Sequence, residues 1–88
     1  MLDDQGRGLI RRLLYPAQFE DNPHNAIDRV LAQSIDQQQA IVSAATVAAI
    51  AKALASPESL ADLIPQPHSE SAVRAYLAQL KKEIESRI

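Results

Sequence analysis

Apolar residues recur at helical spacing along most of the chain, and one stretch is apolar on nearly every side. Residues 37–55, QQQAIVSAATVAAIAKALA, are mostly alanine and β-branched aliphatic residues, with Lys52 as the only charge. Alanine is the strongest helix former, so this stretch is expected to be helical. Because a helix that is apolar all round must be covered all round, the stretch predicts either a compact bundle with this helix at its centre or a second copy of the chain. Within the helix, Ala45, Ala48 and Ala49 are expected to allow close approach of another helix.

Two further helices are predicted before this stretch. The first has an apolar face at helical spacing between residues 9 and 15, and Pro16 should end it. Residues 1–8 contain both glycines and are expected to form a flexible lead-in. An Asn-Pro pair at residues 22–23 is typical of a helix start. The helix that follows either runs unbroken into the Ala-rich stretch or breaks near residues 34–39.

The C-terminal third predicts a short helix and a longer one. Ser56 followed by Pro57 is typical of the start of the short helix, and Ser69 is expected to cap the last helix, which runs to about residue 87. No alternating pattern and no Asn-Gly or Asp-Gly turn indicates a strand. The sequence therefore predicts one all-α domain over residues 1–88, a small bundle of four to five helices. In the last helix, four apolar residues follow the heptad rhythm of a coiled-coil seam, Val73, Leu77, Leu80 and Ile84.

Composition argues against several functional classes. The formal net charge of −2 argues against a nonspecific nucleic-acid binder, which is normally basic. The chain has no cysteine, which excludes disulfide and thiolate chemistry and fits a cytoplasmic protein. No run reaches the roughly 18 consecutive apolar residues that indicate a membrane span.

Candidate chemistry is sparse. His24 and His68 are the only imidazoles, each beside a proline, and a zinc site needs three or four ligands at suitable spacing. We expect both to be exposed loop residues. No serine lies in a GxSxG motif, and two glycines cannot form a phosphate-binding loop. The sequence therefore predicts no enzyme activity, catalytic residue, metal ligand or cofactor.

These exclusions favour a noncatalytic protein-protein interaction module, such as an adaptor, inhibitor, immunity factor or accessory subunit. The mechanism would be docking of helices through the heptad seam, so Val73, Leu77, Leu80 and Ile84 are the expected partner-binding residues. The all-round apolar helix and the seam together hold more apolar surface than a small chain easily covers. We therefore also expect a homodimer.

The alternative is a DNA-binding regulator. Residues 57–80 place a short helix, a turn and a Ser-capped helix in an order typical of a helix-turn-helix. In this interpretation Ser69, Ser71 and Arg74 would face DNA. Two prolines in the turn, the position of Glu70 and the acidic charge of the chain argue against it.

Overall fold

The computed structural model describes residues 4–36, 43–64 and 66–88, and over these ranges the chain folds into α-helices joined by short 3-10 turns. No β-strand occurs in these ranges. The predicted all-α bundle is therefore confirmed. The α-helices are α1 Asp4–Leu14, α2 Ile27–Asp36, α3 Ala44–Ala55 and α4 Glu70–Glu85. The 3-10 turns are η1 Pro16–Phe19, η2 Pro23–Ala26 and η3 Leu60–Leu63.

Helix α1 begins earlier than its apolar spacing predicts. It starts at Asp4, whereas the spacing places the start near residue 9. Arg7 accounts for the extra turn, because its Nε and Nη2 lie 3.2 and 3.1 Å from the two carboxylate oxygens of Glu58. This bidentate contact joins the first turn of α1 to the segment after α3. The added stability offsets the cost of placing two glycines in a helix. Residues 1–3 of the expected lead-in lie outside the described residues.

Helices α2 and α3 are separate, so the chain does not form one long helix. Helix α2 ends at Asp36, inside the region where a break was the competing expectation. Ser43 has an extended backbone, with φ −156° and ψ 158°, and its side chain accepts a hydrogen bond from the Thr46 N–H. An extended residue with this bond is an N-cap, so α3 begins afresh after Ser43. Residues 37–42 of the Ala-rich stretch lie outside the described residues.

The core is aliphatic, and α4 contributes the largest share of it. Tyr76 of α4 is the one buried aromatic residue in the described ranges. Its hydroxyl donates a hydrogen bond of 2.6 Å to the carbonyl oxygen of Leu13, which lies in the last turn of α1. Burial raises the pKa of Tyr76 far above its usual value, so the hydroxyl keeps its proton and remains a donor. The largest fully buried side chains are those of Ile10, Leu13, Leu14, Val30, Ile50, Leu60, Val73, Tyr76, Leu77, Leu80 and Ile84.

Helix α3 packs against both α1 and α4 but is covered on one side only. Thr46, Ile50 and Ala53 are buried, and Ala49 is half-buried. Within the single chain α3 is therefore central but not covered all round, and of the three alanines expected to pack closely only Ala49 is partly covered, while Ala45 and Ala48 are exposed; cover by a second copy stays a prediction. An alanine side chain has little apolar area, so leaving it in water costs little free energy. The exposed side of α3 consists of Ala44, Ala45, Ala48, Ala51, Lys52 and Ala55.

Candidate interaction surface

The heptad seam of α4 lies inside the core. Val73 is 1% exposed, and the other three seam residues are fully buried. Helices α2 and α3 and turns η2 and η3 all pack against α4. The seam therefore meets other elements of the same chain. A partner could reach it only by opening the core, so an accessible docking surface has to lie elsewhere. The residues concerned are Val73, Leu77, Leu80 and Ile84.

The segment at residues 57–80 does not contain two successive full helices. Its first part is η3, a single 3-10 turn, and the first α-helix after η3 is α4, which begins at Glu70. Ser69 caps α4 by accepting a 3.2 Å hydrogen bond from the Ala72 N–H. The Ser71 hydroxyl lies 3.3 Å from the Ser69 hydroxyl. These two exposed serines thus belong to the cap of α4.

Arg74, the third predicted DNA contact, cross-links parts of the fold. Its Nη1 donates to the carbonyl oxygen of Leu54 at 3.0 Å, and its Nη2 donates to those of Ser56 and Glu58, both at 2.9 Å. Leu54 and Ser56 lie at the end of α3, where carbonyl groups lack partners within the helix. With a fourth bond from Nε to Glu70, the guanidinium uses four of its five N–H groups inside the chain.

Glu70 accepts hydrogen bonds from the start of η3, as Arg74 donates them to the end of α3. Its carboxylate accepts hydrogen bonds from the N–H groups of Ala61 and Leu60, at 2.9 and 3.1 Å, and from the Ser59 hydroxyl at 3.1 Å. Burial by itself raises the pKa of Glu70. The bonds from these N–H groups, from Arg74 Nε at 2.7 Å and from Ser59 outweigh it and hold the pKa of Glu70 below its ordinary value. We call Glu70 and Arg74 the α4 clamp, since together they fix the segment between α3 and α4.

The two histidines differ in environment. His24 is exposed on η2, as expected. His68 is half-buried, and its Nε2 lies 2.8 Å from the carbonyl oxygen of Ala17, so the expectation that it is an exposed loop residue is wrong. Because a carbonyl oxygen only accepts, the ring carries a proton on Nε2. In the three described ranges, no group of three acidic or imidazole side chains could hold a metal ion.

Two of the three aromatic residues of the chain are exposed to solvent. Tyr15 is 60% exposed and Phe19 is 69% exposed. Their rings meet edge to face with centroids 5.6 Å apart. We call them the aromatic pair. Pro16 and Ala17 between them are buried, so the turn that carries the rings is anchored in the protein. No periodic pattern in the sequence marks these two positions as exposed.

Charged residues of both signs border the aromatic pair along the chain. Arg11 is exposed one helical turn before the first ring, and its Nε donates to the carbonyl oxygen of Leu63 at 3.2 Å. Asp21 is exposed two residues after the second ring and has no hydrogen-bond or ion-pair partner among the described residues. Glu20 pairs with Arg29 of α2. An exposed cation, Arg11, therefore precedes the rings in the sequence, and an exposed anion, Asp21, follows them.

Shallow grooves flank the exposed side of α3. The groove between α3 and α4 encloses about 910 Å³, and the groove between α1 and α3 about 340 Å³. Four alanines and Leu54 form the apolar lining of the larger groove, and Lys82 is among its polar lining residues. Alanine side chains offer little apolar area to a partner, and Leu54 is half-buried. The aromatic pair is therefore the stronger candidate for an interaction surface.

No protein-family model, curated protein or solved structure matches this chain. Within the part of the chain that the structure describes, none of the helices combines the length and the apolar character needed to cross a membrane.

Proposed function

We propose that this protein is a noncatalytic protein-protein interaction module that docks through the aromatic pair. The observation that carries the proposal is the exposure of Tyr15 and Phe19 in a chain whose other aromatic residue, Tyr76, is fully buried. Large apolar side chains are normally withdrawn from water, so two of them in contact on the surface point to a partner. Tyrosine and phenylalanine are also enriched in the buried centres of protein interfaces.

The support beneath the aromatic pair favours the same function. The backbone of η1 is held by the burial of Pro16 and Ala17 and by the hydrogen bond from His68 to the Ala17 carbonyl oxygen. Each aromatic side chain has only two rotatable bonds, and the edge-to-face contact orders the rings further. A surface ordered before binding loses little conformational entropy when a partner arrives.

The polar groups of the fold support a noncatalytic role. The α4 clamp, the pairing of Arg7 with Glu58 and the bond from His68 all hold elements of the chain together. In the described ranges, every buried side-chain nitrogen or oxygen has a hydrogen-bond partner. The proposed location is the cytoplasm, because the chain contains no cysteine.

The DNA-binding alternative gains no support from the geometry. Arg74 is the one cation among its three proposed contacts, and it directs four N–H groups to Glu70 and to carbonyl oxygens of the chain. Contact with a phosphate or a base would require it to leave the clamp. We therefore propose only the interaction module.

Affinity capture from a lysate of the source cells tests the proposal. The baits are the natural chain, a Tyr15→Ser/Phe19→Ser double variant and an Ile88→Ser control. Ile88 is 62% exposed and lies at the C-terminus, so the control removes exposed apolar surface outside the aromatic pair. We expect a protein captured by the natural chain and by Ile88→Ser to be lost from the double variant. Capture unaffected by the double substitution, or no specific capture by any bait, would overturn the proposal.

A further inference from the structure

We propose that His68 is the positioning residue of the aromatic pair and acts through the carbonyl oxygen of Ala17. The imidazole Nε2 lies 2.8 Å from this oxygen, although the two residues are 51 positions apart in the chain. Ala17 lies in η1, midway in the sequence between Tyr15 and Phe19. This inference rests on the proposed function, since it names the residue that holds the same surface in place.

Turn η1 needs support from outside itself. It is a single 3-10 turn of four residues, and the hydrogen bonds within such turns have poor geometry. Tyr15, which precedes it, makes no side-chain capping bond, and Pro16 has no N–H to donate. Burial of Pro16 and Ala17 keeps the turn on the core, but apolar burial is non-directional and does not fix the orientation of a peptide group. A hydrogen bond to a carbonyl oxygen is directional and does fix it.

The Ala17 carbonyl oxygen accepts two hydrogen bonds. One comes from the N–H of Glu20 at 3.1 Å, and the other comes from Nε2 of His68. A carbonyl oxygen has two lone pairs, so the bonds can form together. The Glu20 side chain also pairs with Arg29 of α2. The turn that carries the rings is therefore joined to α2 on one side and to the segment between α3 and α4 on the other.

Gln66 holds the backbone of His68. Its Oε1 accepts a hydrogen bond from the His68 N–H at 2.7 Å, and its Nε2 donates to the carbonyl oxygens of His68 and Ala61, both at 3.0 Å. The N–H of Ala61 is in turn bound by Glu70 at 2.9 Å. A series of hydrogen bonds therefore runs from the α4 clamp to the aromatic pair, and Gln66 acts on η1 through His68.

Hydrogen exchange of the free, folded chain, followed by nuclear magnetic resonance, tests the inference. The reporter is the N–H of Glu20, which is bound to the Ala17 carbonyl oxygen and exchanges with solvent when η1 opens. His68→Leu keeps an apolar side chain at the site and removes the donor. We expect it to speed exchange at Glu20 by about fivefold, which corresponds to the loss of one hydrogen bond. Circular dichroism shows whether each variant retains its helix content.

Three further variants separate positioning of η1 from general support of the fold. His68→Gln keeps an Nε2 donor, so exchange at Glu20 should stay within about twofold of the natural chain. Ile84→Val removes a buried methyl group in the last turn of α4, at a cost comparable to one lost hydrogen bond, and should leave exchange at Glu20 unchanged. Gln66→Leu should speed the exchange, and adding it to His68→Leu should have no further effect, because both act through the same bond.

Three results would overturn the inference. They are exchange at Glu20 that His68→Leu leaves unchanged, that His68→Gln fails to restore, or that Ile84→Val speeds as much as His68→Leu does. A double variant that exchanges faster than His68→Leu alone would overturn the role given to Gln66. These measurements need no partner, so their outcome is independent of the lysate capture that tests the proposed function.

Discussion

Replacing Arg74 with alanine tests how the segment between α3 and α4 is held. The substitution removes the bonds to the carbonyl oxygens of Leu54, Ser56 and Glu58 as well as the bond to Glu70. If Arg74 were an exposed side chain on a recognition helix, its loss would leave folding stability nearly unchanged. In this structure the same change removes the cap of α3 and one of the groups that orient Glu70.

The size of the effect follows from these contacts. A hydrogen bond to a charged group contributes roughly 1.5–3 kcal/mol when buried. The Arg74 side chain is 28% exposed and water can replace part of what is lost, so the contributions are not additive. We expect Arg74→Ala to lower the free energy of unfolding by about 2–3 kcal/mol. For a domain of this size that corresponds to a fall in Tm of roughly 10–20 °C.

Chemical and thermal unfolding followed by circular dichroism measures this loss. Lys81→Ala is the matched control, because Lys81 and Glu85 form an ion pair with the same i,i+4 spacing on the same helix, at 3.0 Å. That pair makes no link to another element, so its loss should cost only about 0.3–0.5 kcal/mol. Arg74→Lys should fall between the two, since an ammonium group cannot reach several carbonyls in a fork. If Arg74→Ala were no more destabilising than Lys81→Ala, the assigned role of the clamp would be wrong.

Further predictions concern α3, pH and the core. Ala49→Leu should lower stability by about 1–3 kcal/mol because its site is half-buried, whereas Ala48→Leu should change it by less than about 0.5 kcal/mol in denaturant titrations. The folded-state pKa of Glu70 lies below its ordinary value, so its contribution to stability is complete at pH values well above the ordinary pKa and is lost as the pH falls through the folded pKa. The stability difference between the natural chain and Glu70→Gln should therefore shrink in acid. Tyr76→Phe should cost about 1–2 kcal/mol in thermal unfolding, because the Leu13 carbonyl oxygen loses its donor inside the core.

Local signals in the sequence located much of the secondary structure. Ser69 caps α4 as expected, because an N-cap and the N–H group that it binds lie within three residues. Asn22 also acts as a cap, accepting a bond from the His24 N–H at 3.1 Å, although it caps η2, the turn that leads into α2. The Ser-Pro pair at residues 56–57 was expected to start the short helix. Ser56 instead ends α3, and η3 begins only at Leu60.

Contacts between distant residues account for what the sequence could not predict. The heptad spacing of α4 showed that one face would be buried but not which elements would cover it. Glu70 and Arg74 were visible as a Glu–Arg pair at i,i+4 spacing, yet the groups they bind lie 9 to 20 positions earlier in the chain. A single sequence does not indicate which distant groups such a pair will bind. The exposure of Tyr15 and Phe19 likewise depends on how η1 is anchored, which no local pattern encodes.

The residues that looked functional by pattern are those that hold the fold, and this changes where function should be sought. Val73 and its seam neighbours form the core, and Arg74 joins α3 to α4. Substitutions at these positions would reduce stability and binding together, so they cannot separate a docking role from a folding role. Substitutions in the aromatic pair can separate the two roles. Burying a large aromatic side chain contributes about 1.5–3 kcal/mol, and most of this free energy is not gained in the folded monomer because both side chains are mostly exposed. A loss of association at Tyr15 or Phe19 with unchanged unfolding would therefore report on the interface alone.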